Sequence, residues 1–343
     1  MNRQQFVTTH LSRRSFLSYL LFPLSLPFVA VVVVRRAWYR ISPPKPEPGK
    51  ARVIVVGNLT AGGSGKTPFT ACLVRQLTDA GCPTAVCLRG YRGEFEHTNA
   101  IVADRSGIRP EGARAGDEAL MLSRQLPGIP IAVGRDRKRS IAMLQAMYPD
   151  LRAIVLDDGF QRVNLFAHFR FAVFNTRTGI GNGFVLPAGL LREPLSALRD
   201  ADAIVLNGDP NPELEKQFRF RGTIVRGSMK LDYLESFEGE KRSLTGLKGK
   251  VCLLSGIGSP EGFERSMRQA GLKVAAVIAK PDHYAFDEPE LWEHLCDRVN
   301  GGEFESIIIT EKDAVKIKPV PGLRVYVACS RFVTTTNVAK MVG

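Results

Sequence analysis

The sequence predicts an α/β fold: a P-loop NTPase-like, mostly parallel sheet with helices on both faces, a smaller second α/β domain, and an N-terminal membrane-associated helix. Three observations predict it. The glycine-rich run Gly62-Gly63-Ser64-Gly65-Lys66-Thr67-Pro68 follows an apolar stretch at 53–56 and precedes a helical pattern. Short, continuously apolar runs alternate with helix-like segments along most of the chain. Residues 16–34 carry no charge.

The N-terminal segment comes first. Residues 16–34 are long enough to cross a hydrocarbon core. Arg35, Arg36, Ala37, Trp38 and Tyr39 follow without a small-x-small cleavage site, which argues against a cleaved signal peptide. Pro23 and Pro27 interrupt the run, and basic residues flank it on both sides, so charge bias gives no orientation. Trp38 and Tyr39 suit the headgroup layer. A kinked helix lying in or dipping into the cytoplasmic leaflet is favoured over a true span and over a segment packed on the protein itself. Residues 41–49 then read as a stiff, proline-rich linker. The chain carries 47 Lys+Arg against 34 Asp+Glu, a net of +13. Residues 1–52 hold nine cations against Glu47 alone, so most of the excess belongs to the N-terminus. That distribution favours an anionic membrane surface over nucleic acid, for which no recognised module is present. The six cysteines form no C-x-x-C pair, and several sit in apolar runs, as reduced cytosolic thiols do.

The glycine-rich run has the layout of a phosphate-binding loop. Glycines let successive N–H groups turn inward on phosphate, the lysine neutralises the β/γ-phosphates, and Thr67 is placed to ligate Mg²⁺. The strict pattern wants glycine six positions before the lysine. That position is Thr60, and the glycines stand at 62 and 63 instead. Pro68 suits a first helical turn. Phe69, Cys72, Leu73, Leu77 and Ala80 recur at helical spacing, and Gly81 ends the pattern. Further strands are expected at 84–88, 131–133, 153–156, 171–174 and 203–206. After a polar, irregular stretch between Pro210 and Glu240, they resume at 251–254, 274–279, 306–310 and 324–328. Continuous apolarity fits strands covered on both faces. The expected division is an N-terminal helix at 1–40, a phosphate-loop core at 41–225 and a smaller unit at 226–343.

Chemistry-bearing residues cluster at the predicted strand ends. Asp157-Asp158-Gly159-Phe160-Gln161 follows the 153–156 strand, where open parallel sheets bind ligands. Beside a phosphate loop such an aspartate usually holds Mg²⁺; the alternative is a solvated Asp-Gly turn. Gly116-Asp117-Glu118 opens a helical stretch. Its spacing favours N-terminal capping over a general base. Arg89-Gly90-Tyr91-Arg92 and Gly134-Arg135-Asp136-Arg137 each follow a strand and offer cations to phosphates or to solvent. His283, within Asp282-His283-Tyr284, is a structural or catalytic histidine. The 310–316 segment, Thr-Glu-Lys-Asp-Ala-Val-Lys, is a strand-end site or a charged helix start.

Taken together these motifs resemble the tetraacyldisaccharide 4′-kinases, the lipid A 4′-kinases of Gram-negative bacteria. The resemblance rests on the 56–68 run, Arg89-Gly90-Tyr91, Gly116-Asp117-Glu118, Asp157–Gln161, the 186–194 run Leu-Pro-Ala-Gly-Leu-Leu-Arg-Glu-Pro, and Asp282-His283-Tyr284. The shifted glycine is how this family writes its loop. The resemblance implies transfer of the ATP γ-phosphate to the 4′-hydroxyl of a lipid A disaccharide 1-phosphate at the cytoplasmic face of the inner membrane. It implies Asp117 as general base with His283 assisting, Lys66 on the phosphates, and Thr60, Ala61, Gly62, Gly63, Ser64, Gly65 and Thr67 around the nucleotide. It further implies Thr67, Asp158 and Asp157 at Mg²⁺, and Asn58, Tyr91, Arg135, Gln161 and Glu193 elsewhere in the active site. Leu190 and Arg92 depart from the family's usual proline and glycine. The competing reading is a membrane-associated switch ATPase. Those proteins carry a second lysine five positions before the first, where this chain has Ala61.

Overall fold

The structure, a computed structural model, describes residues 11, 13–46, 49, 51–91, 93–282 and 284–342. His283 and Arg92 therefore lie outside the described residues. A long helix, α1 (Phe16–Ile41), precedes the first strand, β1 (Arg52–Gly57). Then come α2 (Lys66–Asp79), β2 (Thr84–Leu88), β3 (Ala100–Asp104), β4 (Gly107–Ile108), α3 (Asp117–Gln125) and β5 (Ile131–Val133). They are followed by α4 (Arg137–Met147), β6 (Ala153–Leu156) and β7 (Phe169–Asn175). Strand β8 (Ala203–Asn207) and α5 (Pro212–Phe218) lead into a long strand, β9 (Thr223–Ser236), and β10 (Lys241–Arg242). The chain ends with β11 (Lys250–Ser255), α6 (Pro260–Gln269), β12 (Lys273–Ala279), α7 (Pro289–Asn300), β13 (Ser306–Thr310), α8 (Glu311–Ala314), β14 (Val325–Thr334) and α9 (Ala339–Val342).

Every apolar run expected to be a strand forms one, and all join a single 14-stranded sheet. Its order is β12-β11-β13-β14-β9-β8-β7-β1-β6-β2-β5-β3-β4, with β10 paired to β9. The central strands pair in parallel. The polar stretch expected to be irregular contains β9. That strand pairs in parallel with β8 through residues 223–227 and antiparallel with β14 through 227–236. One strand thus joins both halves of the sheet, and the boundary expected at 225/226 falls inside it. Its side chains are partly exposed on both faces, so it carries no continuous apolar signal.

Alternation along each strand supplies both faces of the sheet. Ile54 and Val56 pack with Phe69, Leu73 and Leu77 of α2 and Leu122 of α3 on one face. Val53 and Val55 pack with Ile141 and Leu144 of α4 on the other. On that second side Ala172, Phe174, Ile204 and Leu206 meet Leu214 and Phe218 of α5. The C-terminal strands repeat the pattern, with Leu295 of α7 on one face and Met267 of α6 on the other.

Helix α1 runs unbroken through Pro23 and Pro27 and begins at a Ser15–Ser18 capping box. It docks with its polar side inward. Ser18, Ser25, Val32 and Arg36 are buried, while Leu24, Val31, Val34 and Trp38 are 64–68% exposed. The Ser25 hydroxyl donates to Val185 O at 2.8 Å, and the Asn182 amide donates to Ser18 Oγ at 3.1 Å. At the far end Arg36 is buried with Glu193, to which it donates from both Nε and Nη2. Arg36 also reaches Asp200 at 2.6 Å and Phe160 O at 3.3 Å, and its guanidinium lies over the Phe160 ring. Arg35 and Arg40 complete the network on Glu193 and Asp200.

Removing one partner of a buried pair strands the other charge, whereas removing both does not. Arg36→Met is therefore expected to destabilise the protein by about 3 kcal/mol. The double variant Arg36→Met/Glu193→Met should recover most of that loss. Chemical denaturation measures both; equal losses in the single and double variants would contradict the ion-pair account.

Candidate active site

The phosphate loop leaves β1 at Gly57 and enters α2 at Lys66. Gly62 and Gly65 hold φ of 96° and 88°, the left-handed region that favours glycine. A side chain at Gly65 would also collide with the Asn207 amide, which donates to Ser64 O at 3.2 Å. A side chain at Gly62 or Gly63 would meet no atom within 4 Å. That open ground faces outward from the loop, where a ligand has room to approach the backbone. The loop is braced from below by the 185–192 segment. Ala61 N donates to Leu190 O at 2.8 Å, and Arg192 N donates to Leu59 O at 2.6 Å. Asn58 is buried and its amide donates to Thr60 O at 2.6 Å, while Gln161 donates to Asn58 O at 2.7 Å. Gln161 and Asn58 thus shape the loop from within.

Strand β6 lies beside β1, so its carboxyl end brings Asp157 and Asp158 to the loop. The Thr67 hydroxyl donates to Asp157 Oδ2 at 2.8 Å, and the Thr70 hydroxyl donates to Oδ1 at 3.0 Å. Thr70 lies one helical turn beyond Thr67 and shares its face. Asp158 adopts φ 52° and meets Lys66 Nζ and Arg192 Nη1, each at 3.5 Å. The two carboxylates are pushed in opposite directions. Burial, reinforced by the charge of Glu118, raises Asp157 to about 6. Burial also acts against ionised Asp158, but Lys66 and Arg192 outweigh it and hold its pKa below the ordinary value. The two carboxylates and the Thr67 hydroxyl are hard oxygen donors suited to Mg²⁺. Among the described residues no group of three or more His, Cys, Asp or Glu could by itself cage a metal. Mg²⁺ at phosphate-binding sites is commonly held by one or two carboxylates together with phosphates.

Asp117 is the first residue of α3, and Gly116, at φ 94°, is the N-cap. Asp117 is therefore not the N-cap residue, but with Glu118 it places negative charge in the first turn of the helix. Its carboxylate lies 3.8 Å from Lys316 Nζ, which sits beyond α8 in the C-terminal half of the sheet. Lys316 Nζ is also 3.1 Å from Asp313 Oδ1 and lies over the Phe286 ring. Asp313 is fully buried and accepts from Gly256 N at 3.0 Å and from Thr310 Oγ1 at 2.7 Å. The 310–316 segment is thus a helix start, capped by Thr310, that presents a cation to Asp117.

Tyr91 is half exposed, with Arg89 over its ring. Arg135 lines a basic cavity beyond β5. Glu193 is buried under α1 and pairs with Arg35 and Arg36. His283 lies outside the described residues, between Asp282, which pairs with Lys312 at 2.8 Å, and Tyr284. Sequence reading passed over Arg192, Thr70 and Lys316. Arg192 and Lys316 lay within quoted motifs, but only folding supplies their partners.

The Tetraacyldisaccharide-1-P 4′-kinase family model matches residues 17–342. Tetraacyldisaccharide 4′-kinase of Pelobacter propionicus is 34% identical over 316 residues, covering 89% of this chain and 84% of that protein. The enzyme of the same name from Geobacter metallireducens is 36% identical over 306 residues, covering 88% and 89%. LpxK from Aquifex aeolicus, crystallised in complex with ATP, superposes with a TM-score of 0.76 at 26% identity, covering 95% of this chain and 98% of that one.

The Asp157 shift has a consequence for stability. Its folded-state pKa, about 6, exceeds the ordinary 3.8. Between those values the folded chain holds a proton that the unfolded chain has released, so stability falls as pH rises through the window. Nucleotide-free Asp157→Asn is expected to melt a few degrees above wild type at pH 7.5, with the gap narrowing at pH 5. A variant that melts lower, or a gap independent of pH, would refute the assignment.

Proposed function

This chain belongs to the tetraacyldisaccharide-1-P 4′-kinase family, and from that premise we propose that it transfers the γ-phosphate of ATP to the 4′-hydroxyl of a tetraacyl disaccharide 1-phosphate, forming lipid IVA. The observation that carries the reading is the joining of loop and acid pair: Thr67 on Asp157, Lys66 on Asp158. Phosphoryl transfer depends on charge neutralisation and in-line positioning more than on covalent chemistry. The loop N–H groups, Lys66 and Arg192 supply the first from this chain's own atoms. Mg²⁺, held by Thr67, Asp157 and Asp158, would add charge neutralisation at the β- and γ-phosphates. Asp117 accepts the proton of the 4′-hydroxyl as the new O–P bond forms and the bond to ADP breaks. His283 assists Asp117, an assignment resting on the family resemblance. Lys316 holds the Asp117 carboxylate from the other half of the sheet.

The acceptor carries fatty acyl chains, and α1 fits that demand. A stripe of serines and Arg36 faces the protein, and its aromatic and aliphatic side chains face outward. A water-exposed helix places these groups the other way round. The outward apolar face and the Trp38 side chain suit the cytoplasmic leaflet of the inner membrane. Contacts at Ser18, Ser25 and Arg36 tie the helix to the core along its length, which favours embedding over spanning.

Asp117→Asn is expected to cut transfer to the lipid disaccharide about 100–10,000-fold while nucleotide binding persists; near-normal transfer would remove Asp117 as base. Lys316→Met should lower kcat about 10–100-fold with the KM for ATP unchanged. Lys316→Arg should restore most of it, and Lys316→Met should cost nothing further in the Asp117→Asn background. An equal loss in both backgrounds would show that Lys316 acts elsewhere. Leu24→Asn/Val31→Asn should release the protein from anionic vesicles without changing its melting temperature, and unchanged vesicle recovery would place the docking surface away from α1.

A further inference from the structure

The histidine of the proposed reaction follows Asp282 in the chain, and the residues on either side of it are held by side chains from several elements. Asp282 Oδ1 accepts from Lys312 Nζ at 2.8 Å. The Tyr284 N–H donates to Pro281 O at 3.1 Å, and Lys280 Nζ donates to the Tyr284 hydroxyl at 3.2 Å. The Tyr284 ring stands edge-on to Phe286, with 5.1 Å between centroids. Phe286 is buried and adopts φ 61°. A bulky residue keeps that left-handed backbone only where its surroundings hold it there.

Two of these holds lead to one short element. Lys312 belongs to α8, and Lys316, two residues beyond it, lies over the Phe286 ring. Helix α8 is itself anchored to both halves of the sheet. Its buried Asp313 accepts from Gly256 N, directly after β11, at 3.0 Å. Glu311 Oε2 accepts from Ser330 N of β14 at 3.2 Å, and its Oε1 accepts from Gln125 Nε2 of α3 at 2.8 Å. Arg124 Nη1, also on α3, donates to Ala314 O at 3.4 Å. Lys316 Nζ then approaches Asp117 at the opposite end of α3. The helix bearing the base and the segment around the histidine therefore share one support. The Lys312 and Asp282 side chains are 19% and 37% exposed, and a pair of that exposure adds little to stability. Its geometric effect is larger, because a displacement of about 1 Å costs about 100-fold in rate. We propose that Lys312 is a positioning residue for the phosphoryl transfer: by holding Asp282 to α8, it sets where the chain delivers His283 relative to Asp117, and it touches neither nucleotide nor acceptor. The inference rests on the kinase reading above and adds to it how base and histidine are kept in register.

The test measures transfer to the tetraacyl disaccharide 1-phosphate by Lys312→Met and Lys312→Arg, and by Lys312→Met combined with His283→Ala. Lys312→Met is expected to lower kcat about 10–100-fold, with the KM for ATP and the melting temperature nearly unchanged. Lys312→Arg can still pair with Asp282 and should restore most of the rate. In the His283→Ala background Lys312→Met should cost less than about 2-fold further, because the two changes remove the same contribution. The loss of rate, its dependence on His283 and its rescue by arginine would not arise from a pair that only stabilises the fold. An equal loss in both backgrounds would overturn the proposal, as would an undiminished kcat in Lys312→Met or a raised KM for ATP at unchanged kcat. His283→Ala with the wild-type rate would remove the histidine from the reaction and the proposal with it. Failure of the wild-type protein to phosphorylate the disaccharide would instead contradict the kinase reading itself.

Discussion

The pair of hydroxyl hydrogen bonds from Thr67 and Thr70 to Asp157 is the constraint on which the rest of the site depends. It fixes the first turn of α2 against the end of β6. The helix entry, the glycine loop before it and the acid pair beside it are then positioned as one unit. The cost is a buried carboxylate whose pKa rises to about 6. Asp158, one residue later, turns through a left-handed backbone to face Lys66 and Arg192 and stays ionised. Two adjacent aspartates thus have different electrostatic states because one faces the core and the other faces cations. A cationic ligand would relieve the first and compete with Lys66 for the second, which is the balance a phosphate-transfer site requires.

The same strand ends carry the other requirements outward. Parallel pairing of β1, β6, β2 and β5 aligns their carboxyl ends. The loop, the acids and the basic cavity follow from that alignment. Asp117 enters from the 107–117 connection and is met by Lys316 from the distal half of the sheet, which β9 makes continuous with the first. Helix α1 closes the arrangement over Glu193 and Phe160. Its buried Arg36 touches the backbone of Phe160, three residues beyond Asp157. The apolar outer surface and the reaction centre are therefore connected through a few side chains rather than through a flexible tether.

Much of this was legible in the sequence because its signals are local. Beyond the N-terminal helix, a continuously apolar run of three to six residues is a strand in a two-sided sheet, and each run expected to be a strand formed one. The glycine loop was legible as well, since a left-handed turn between strand and helix needs glycines at 62 and 65. Strand β9 was not legible: it is half exposed and pairs across nearly a hundred residues with β14. Asp117 read as a cap from its spacing and as a general base from the family resemblance; the fold gives the cap position to Gly116 and sets Asp117 in the first turn of α3. The partners of Glu193, Arg35 and Arg36, are distant in sequence and no spacing rule pairs them. Two prolines in α1 suggested an interruption, yet the helix passes through both. Lys316 and Arg192 acquire meaning only from partners that no spacing rule connects.

The central claim is that this site delivers the γ-phosphate to a sugar hydroxyl rather than to water. The direct measurement is incubation of the wild-type protein with γ-labelled ATP and tetraacyl disaccharide 1-phosphate, followed by location of the label in the product. Label on the 4′-oxygen, in equal amount to the ADP formed, is the result this account predicts. ADP accompanied by labelled inorganic phosphate, with the disaccharide unmodified, would contradict it and mark the protein as a membrane-associated switch ATPase.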